Sequence, residues 1–151
     1  MVTIINSTKL KIKIEPIAFK TVRADKYDNN YQYNGVTNQN ELMYGKENQK
    51  AEIANVFTIQ KEHELLKAVQ FYAATPGTTY SIQIYKNIKD KNNPTSGEKL
   101  LDEPLTGSEH RMGFYTVDLD QPMWLEMGDT VSVCVSYIPQ KENSSAGLIY
   151  D

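Results

Sequence analysis

Three side chains in this sequence are of the kinds that carry thiol chemistry: Cys134, with His63 and His110 as candidate bases. A cysteine nucleophile needs a base within hydrogen-bond reach and surroundings that favour the thiolate. Cys134 instead sits in the middle of the run Thr130 to Tyr137, between serines. His63 lies in KEHE and reads as a solvated turn residue, and His110 follows Glu109 in a loop that no motif ties to the cysteine. A structural cysteine and a non-enzymatic chain are the expectation. No P-loop, nucleotide-binding glycine fingerprint or zinc-binding pair occurs.

A second set of residues suits the binding of sugars. Pyranose rings present apolar CH faces that match a flat aromatic side chain, and neighbouring amides or carboxylates can bond the hydroxyls. Tyr31 and Tyr33, two apart, would share one face of an extended segment amid Asn29, Asn30, Gln32 and Asn34. Trp124 should point away from Met123 and Leu125, which are assigned to the core. The competing reading is that these aromatics fill core edges. A third set offers oxygen ligands for calcium: Asp25, Asp28, Asn29 and Asn34 first, then Asp90, Asn92 and Asn93. Neither cluster has the spacing of an EF-hand loop, so solvated loop polarity competes with an ion.

These groups ride on a chain of 151 residues, the length of one domain. A domain of this size buries about 68–70% of its unfolded surface, so no metal or disulfide staple is required. Sixteen Lys and Arg against nineteen Asp and Glu give a formal charge of −3, with the signs interspersed. Nucleic acid, which calls for a concentrated basic face, is not an expected partner. Lys9, Lys11 and Lys13 alternate with Leu10, Ile12 and Ile14, as on the solvated side of an edge strand. One cysteine excludes an internal disulfide. The N-terminus has no apolar signal core, and no window approaches the roughly 18 apolar residues of a membrane span. The chain is thus expected to be cytosolic as it stands or a segment of a longer exported protein, and its ending at Leu148 to Asp151 right after a loop favours the segment.

The elements expected to hold the candidate residues are strands. Leu10 to Phe19 alternates, with Pro16 confining it to an edge or bulge. Arg23 to Glu52 is polar and irregular, yet Tyr27, Tyr31, Tyr33 and Tyr44 within it and Phe57 just beyond argue against disorder. Ala54 to Thr58 is a short apolar run, and KEHELLKA after it is compatible with a single helical turn. Leu66 to Tyr72 and Thr79 to Tyr85 flank Ala74-Thr75-Pro76-Gly77, which predicts a hairpin reversing at Pro76-Gly77. Lys89 to Gly97 has the composition of an exposed loop. Leu100 to Leu105 is a candidate short strand, Gly107 to Gly113 a loop, Tyr115 to Leu119 a strand, and Pro122 to Leu125 another. Thr130 to Tyr137 alternates most cleanly. About eight short strands, with no helix long enough for crossovers, predict an all-β, two-sheet antiparallel β-sandwich of jelly-roll-like form.

Read together, YDNNYQYNG (Tyr27 to Gly35), ANVFT (Ala54 to Thr58), LKAVQFY (Leu66 to Tyr72), TTYSIQIYKN (Thr78 to Asn87), NPTSG (Asn93 to Gly97), GFYTVDLD (Gly113 to Asp120) and GDTVSVCVSY (Gly128 to Tyr137) carry a resemblance. In this order they resemble the lectin-like domain that follows the papain-type cysteine protease in surface proteins of clostridia and related anaerobes. The likeness covers residues 27–151 of a single module, with 1–26 as an N-terminal edge strand and lead-in. The resemblance implies a non-catalytic accessory module, extracellular or on the cell surface, that recognises carbohydrate or a cell-wall component and has room for one calcium. Cys134 lacks the Gln-x-x-x-x-x-Cys-Trp context of the resembled protease. Where the family usually has Asp, this chain has Asn34, which weakens a calcium site there, and Trp124 stands where a small apolar residue is typical. The alternative function is a spacer that positions an adjacent protease domain without binding sugar.

Overall fold

The computed structural model describes residues 26–31, 41–44, 49–139 and 147–150. Among them the chain forms nine strands and no helix: β1 Glu41–Tyr44, β2 Ala51–Thr58, β3 Glu64–Ala73, β4 Thr78–Lys86, β5 Glu98–Lys99, β6 Leu105–Glu109, β7 Gly113–Leu125, β8 Thr130–Pro139 and β9 Gly147–Tyr150. Every pairing is antiparallel. One layer is a five-stranded sheet in the order β2-β8-β4, with β5 and β6 sharing the far edge of β4. The other layer is the ribbon β3–β7, and a second ribbon, β1–β9, runs close to β3 and β2. The protein is an antiparallel β-sandwich, as the strand pattern predicts. The expected strand Leu10 to Phe19 lies outside the described residues.

The interior follows from alternation along the strands. On β8, Val131, Val135 and Tyr137 are buried; on β4, Ile82 and Ile84 are fully buried and oppose Val135 and Val133. From the ribbon, Val69, Phe71, Ala73, Leu119 and Leu125 point back at them. Phe71 is the central contact between layers, with ring centroids 4.8 Å from Tyr80, 5.8 Å from Tyr137 and 6.1 Å from Tyr115. Aromatic pairs at such separations and tilted geometries add to the burial of apolar area.

Several expectations need correction. The turn at Pro76-Gly77 forms, and Gly77 takes the positive φ of +68° foreseen for it. It is not a hairpin, however: β3 pairs with β7 and β4 with β8, β6 and β5. Both flanking strands carry apolar rows, and these rows gain more by facing each other across the interior than by lying side by side. Of the expected strand Leu100 to Leu105, only Leu105 is in a strand, as the start of β6; residues 100–104 are the interruption between β5 and β6, where Leu100 N still donates to Ile84 O (2.9 Å) and Gln83 Nε2 to Leu101 O (3.1 Å). Gly107 belongs to β6 rather than to a loop. It opposes Tyr80, whose ring and hydroxyl lie where a Cβ would be, so only glycine lets the aromatic side chain pass. Finally, Arg23 to Glu52 is not irregular throughout, because it contains β1 and the start of β2.

The two expected strands at Tyr115 to Leu119 and Pro122 to Leu125 are one. Strand β7 runs through both, and its pairing with β3 shifts register between Leu66 and Ala68, so that residues 119–122 find no partner there. Pro122, which cannot donate to a ladder, falls in this bulge. Because of the shift, Leu66 and Val69, three residues apart, both face the core. Between Thr58 and β3 the chain makes a tight turn, not a helical one, with His63 at φ +56°.

Two substitutions test this packing. Phe71→Ala removes the interlayer contact and is expected to cost about 3–5 kcal/mol in urea unfolding. Tyr137 is 1% exposed, and its hydroxyl has no hydrogen-bond partner among the described residues. An unpaired buried hydroxyl costs about 1–3 kcal/mol, so Tyr137→Phe should leave the unfolding midpoint unchanged or raise it. A fall would mean that the hydroxyl is bonded in the folded protein.

Candidate functional site

Consecutive strands β2, β3 and β4, then β6, β7 and β8, alternate between the two layers. The chain therefore crosses the sandwich at residues 59–63, 74–77, 110–112 and 126–129. Two of these crossings, 59–63 and 126–129, lie together at one end. Ile59 N donates to Asp129 O and Gly128 N to Ile59 O, both at 2.9 Å. The amide of Glu126 donates to Asp129 Oδ2 (2.8 Å), while Lys86 Nζ reaches the same oxygen from β4 at 2.7 Å. Thr130, the next residue, accepts from the amides of Asn87 and Ile88 through its carbonyl and hydroxyl, each at 2.8 Å. Asp129 thus joins β2, β4, β7 and β8 at one point.

Burial pushes the Asp129 carboxyl up, but the Glu126 amide and the Lys86 ammonium outweigh it and hold the group below the ordinary carboxylate range. At the same end Tyr31 is half-buried, with its ring edge-on to Phe57 at 6.4 Å. Its hydroxyl donates to Glu64 Oε2 (2.5 Å) and accepts from Gln60 N (2.9 Å). Burial, and then the bond to the Glu64 carboxylate, raise this phenol above its usual pKa. Ring and hydroxyl alike are committed to holding the first crossing.

Trp124 lies on the other side of the ribbon. Paired residues share a face, and Glu64 is opposite the buried Leu125, so Glu64 and Tyr31 lie on the inner side. Leu65 opposes Trp124 on the outer side, where the indole is 66% exposed. The expected direction of Trp124, away from Leu125 and Met123, is what the structure shows. The structure does not bring Tyr31 and Trp124 onto one surface. Tyr33 lies outside the described residues.

Two groups at this end escaped the sequence reading. His63 and Glu126 meet across the ribbon's end: Nδ1 and Oε1 are 3.2 Å apart, and the His63 amide donates to Oε2 at 3.4 Å. Met127, 59% exposed, follows in the turn. Residues 63 and 126 become neighbours only once Leu65 is known to pair with Trp124, and no local motif announces that register.

Of the four candidate calcium ligands, Asp25 and Asn34 lie outside the described residues. Asn29 is occupied by protein, since its oxygen accepts from Lys61 Nζ (2.6 Å) and its Nδ2 donates to Glu64 Oε1. Among the described residues, no three His, Cys, Asp or Glu side chains converge as metal ligands would. In the second cluster, Asp90 Oδ1 accepts from Asn92 N, and Asn93 Oδ1 from Thr95 N and Oγ1. These oxygens close local turns of the 87–97 loop. Cys134 lies on the outer face of the large sheet, in register with Ala54 and Gln83, and its sulfur is 3.5 Å from Ser132 Oγ. Burial raises its thiol pKa, the reverse of what an activated nucleophile needs.

The architecture is that of a β-sandwich whose surface carries an exposed indole on a paired strand, a form suited to binding. Comparison with family models then gives the family: the model described as "Lectin like domain" matches residues 30–147, and the chain belongs to that family of lectin-like domains. No curated protein and no solved structure matches the chain.

The Asp129 junction has a measurable consequence. Asp129→Asn is expected to cost about 1–3 kcal/mol near neutral pH, as for loss of charge-assisted hydrogen bonds. A carboxyl whose pKa is depressed by folding stabilises fully above its ordinary value of about 4 and loses that contribution as pH falls through the depressed value. The stability gap between wild type and variant, followed by urea unfolding from pH 7 to pH 2, should therefore narrow below about pH 4.

Proposed function

We propose that this lectin-like domain is a non-catalytic binding module that recognises carbohydrate, free or in a cell-wall polymer, through the outer face of the β3–β7 ribbon. The observation that carries the reading is Trp124: the largest side chain of the set is two-thirds exposed on a regular strand pair, where a buried position would have stabilised the fold. An indole held this way gives a sugar's CH face a preorganised surface, which reduces the entropy lost on binding. Leu65 opposite extends the apolar area, and Met127, also exposed, lies in the turn that follows.

The resemblance to modules beside clostridial cysteine proteases is what favours a place in a longer bacterial surface or secreted protein, with a protease domain as neighbour; the family match supports the lectin-like domain itself. A calcium ion at Asp25, Asp28, Asn29 and Asn34 would have to displace the Lys61 ammonium from Asn29, and the proposed binding gives it no part.

A glycan array probed with the whole chain tests the reading. Trp124→Ala is expected to lower affinity at least about 30-fold, the scale of a central aromatic anchor. Its unfolding midpoint should change little, because exposed residues away from caps and cores contribute within about 0.5 kcal/mol. Undiminished binding by Trp124→Ala would remove the ribbon from the site. An array with no bound glycan would favour the spacer role.

A further inference from the structure

We infer that Glu126, braced by His63, is the hydroxyl-binding partner of Trp124, and that together they take a neutral hexopyranose residue. This rests on the proposed carbohydrate reading and adds to it the polar half of the site and the class of sugar. Along the outer face the pair Leu65/Trp124 is followed, two residues further on, by His63 and Glu126. At the rise of a strand that is about 7 Å, a span that a pyranose ring over the indole and its outward hydroxyls can bridge.

Glu126 is built to receive such hydroxyls. Its amide is tied to Asp129 Oδ2, and the Asp129 amide returns to the Glu126 carbonyl at 3.0 Å, so the backbone beneath the carboxylate is fixed. Each carboxylate oxygen takes one donor from His63. A carboxylate has about four acceptor positions, so the contacts with the described residues leave one on each oxygen for the two hydroxyls of a vicinal diol. Since the carboxylate only accepts, Nδ1 of His63 is the donor, and in the neutral ring Nε2 is then an acceptor. His63 holds a left-handed backbone, φ +56°, that costs a non-glycine residue about 1 kcal/mol or more and that points its amide at Glu126. A glycine or asparagine would adopt that backbone more readily; histidine supplies a second donor instead.

Charge selects among sugars. The charge that the sugar meets is the carboxylate of the exposed Glu126. A uronic or sialic acid would bring its own carboxylate against that of Glu126, which a neutral hexose does not.

Trp124 is the single tryptophan of the chain, so its emission reports occupancy directly. The whole chain is titrated with methyl glycosides of neutral hexoses and of the matching hexuronic acids. Neutral glycosides are expected to change the emission at saturation, with the uronic acid counterparts at least about tenfold weaker. Glu126→Gln, which turns one acceptor into a donor, should weaken neutral sugars about tenfold or more while leaving the saturated emission change. His63→Asn, compatible with the left-handed backbone, should weaken them in the same direction. If both variants bind as wild type does, or uronic acids bind equally well, the inference falls and the indole platform stands. If no neutral glycoside alters wild-type emission, the platform falls with it.

Discussion

The β3–β7 ribbon keeps its place through apolar packing. Neither strand is laddered to the five-stranded sheet, and a two-stranded ribbon by itself is marginal in water. What holds it is the inward row of Val69, Phe71, Ala73, Leu119 and Leu125 against Ile82, Ile84, Val135 and Tyr137. Trp124 stands on the reverse of that ribbon. The burial of one face therefore positions the exposed aromatic ring on the other, with Leu119 and Leu125, an even number of residues apart on β7, both turned inward.

Polar contacts do a different task, concentrated at one end. Asp129 binds the last turn of one layer to the strand ends of the other, using its backbone on both sides and its carboxylate for the Glu126 amide and Lys86. Tyr31 performs the matching role for the first crossing, through Glu64 and Gln60. The two pins fix the backbone beneath Glu126 and His63 at the ribbon's end.

Much of this was legible in the chain because alternation is a local property. Val131, Val135 and Tyr137 declared the inner side of β8, and Met123-Trp124-Leu125 declared which way the indole would point. Partners were not legible. The Pro-Gly turn after Ala74 serves equally well within a sheet and between sheets, and the choice is made by apolar rows that meet only in three dimensions. The same limit hid the His63–Glu126 pair, 63 residues apart in sequence. Tyr31 shows another limit: a tyrosine amid amides has the composition of a sugar site, and its half-burial and the two hydrogen bonds of its hydroxyl could be seen only in the fold.

The repeated crossing from layer to layer also bears on how the chain folds. Among the described residues, strand β8 bridges β2 and β4 in the large sheet, and Phe57 meets Val131 across a wide separation in sequence. Closing such loops exacts its entropy before contacts repay it, which slows folding. A ribosome would have to deliver nearly the whole module before β2 could find its neighbour, so the nascent chain travels most of its length with its central ladder unbuilt.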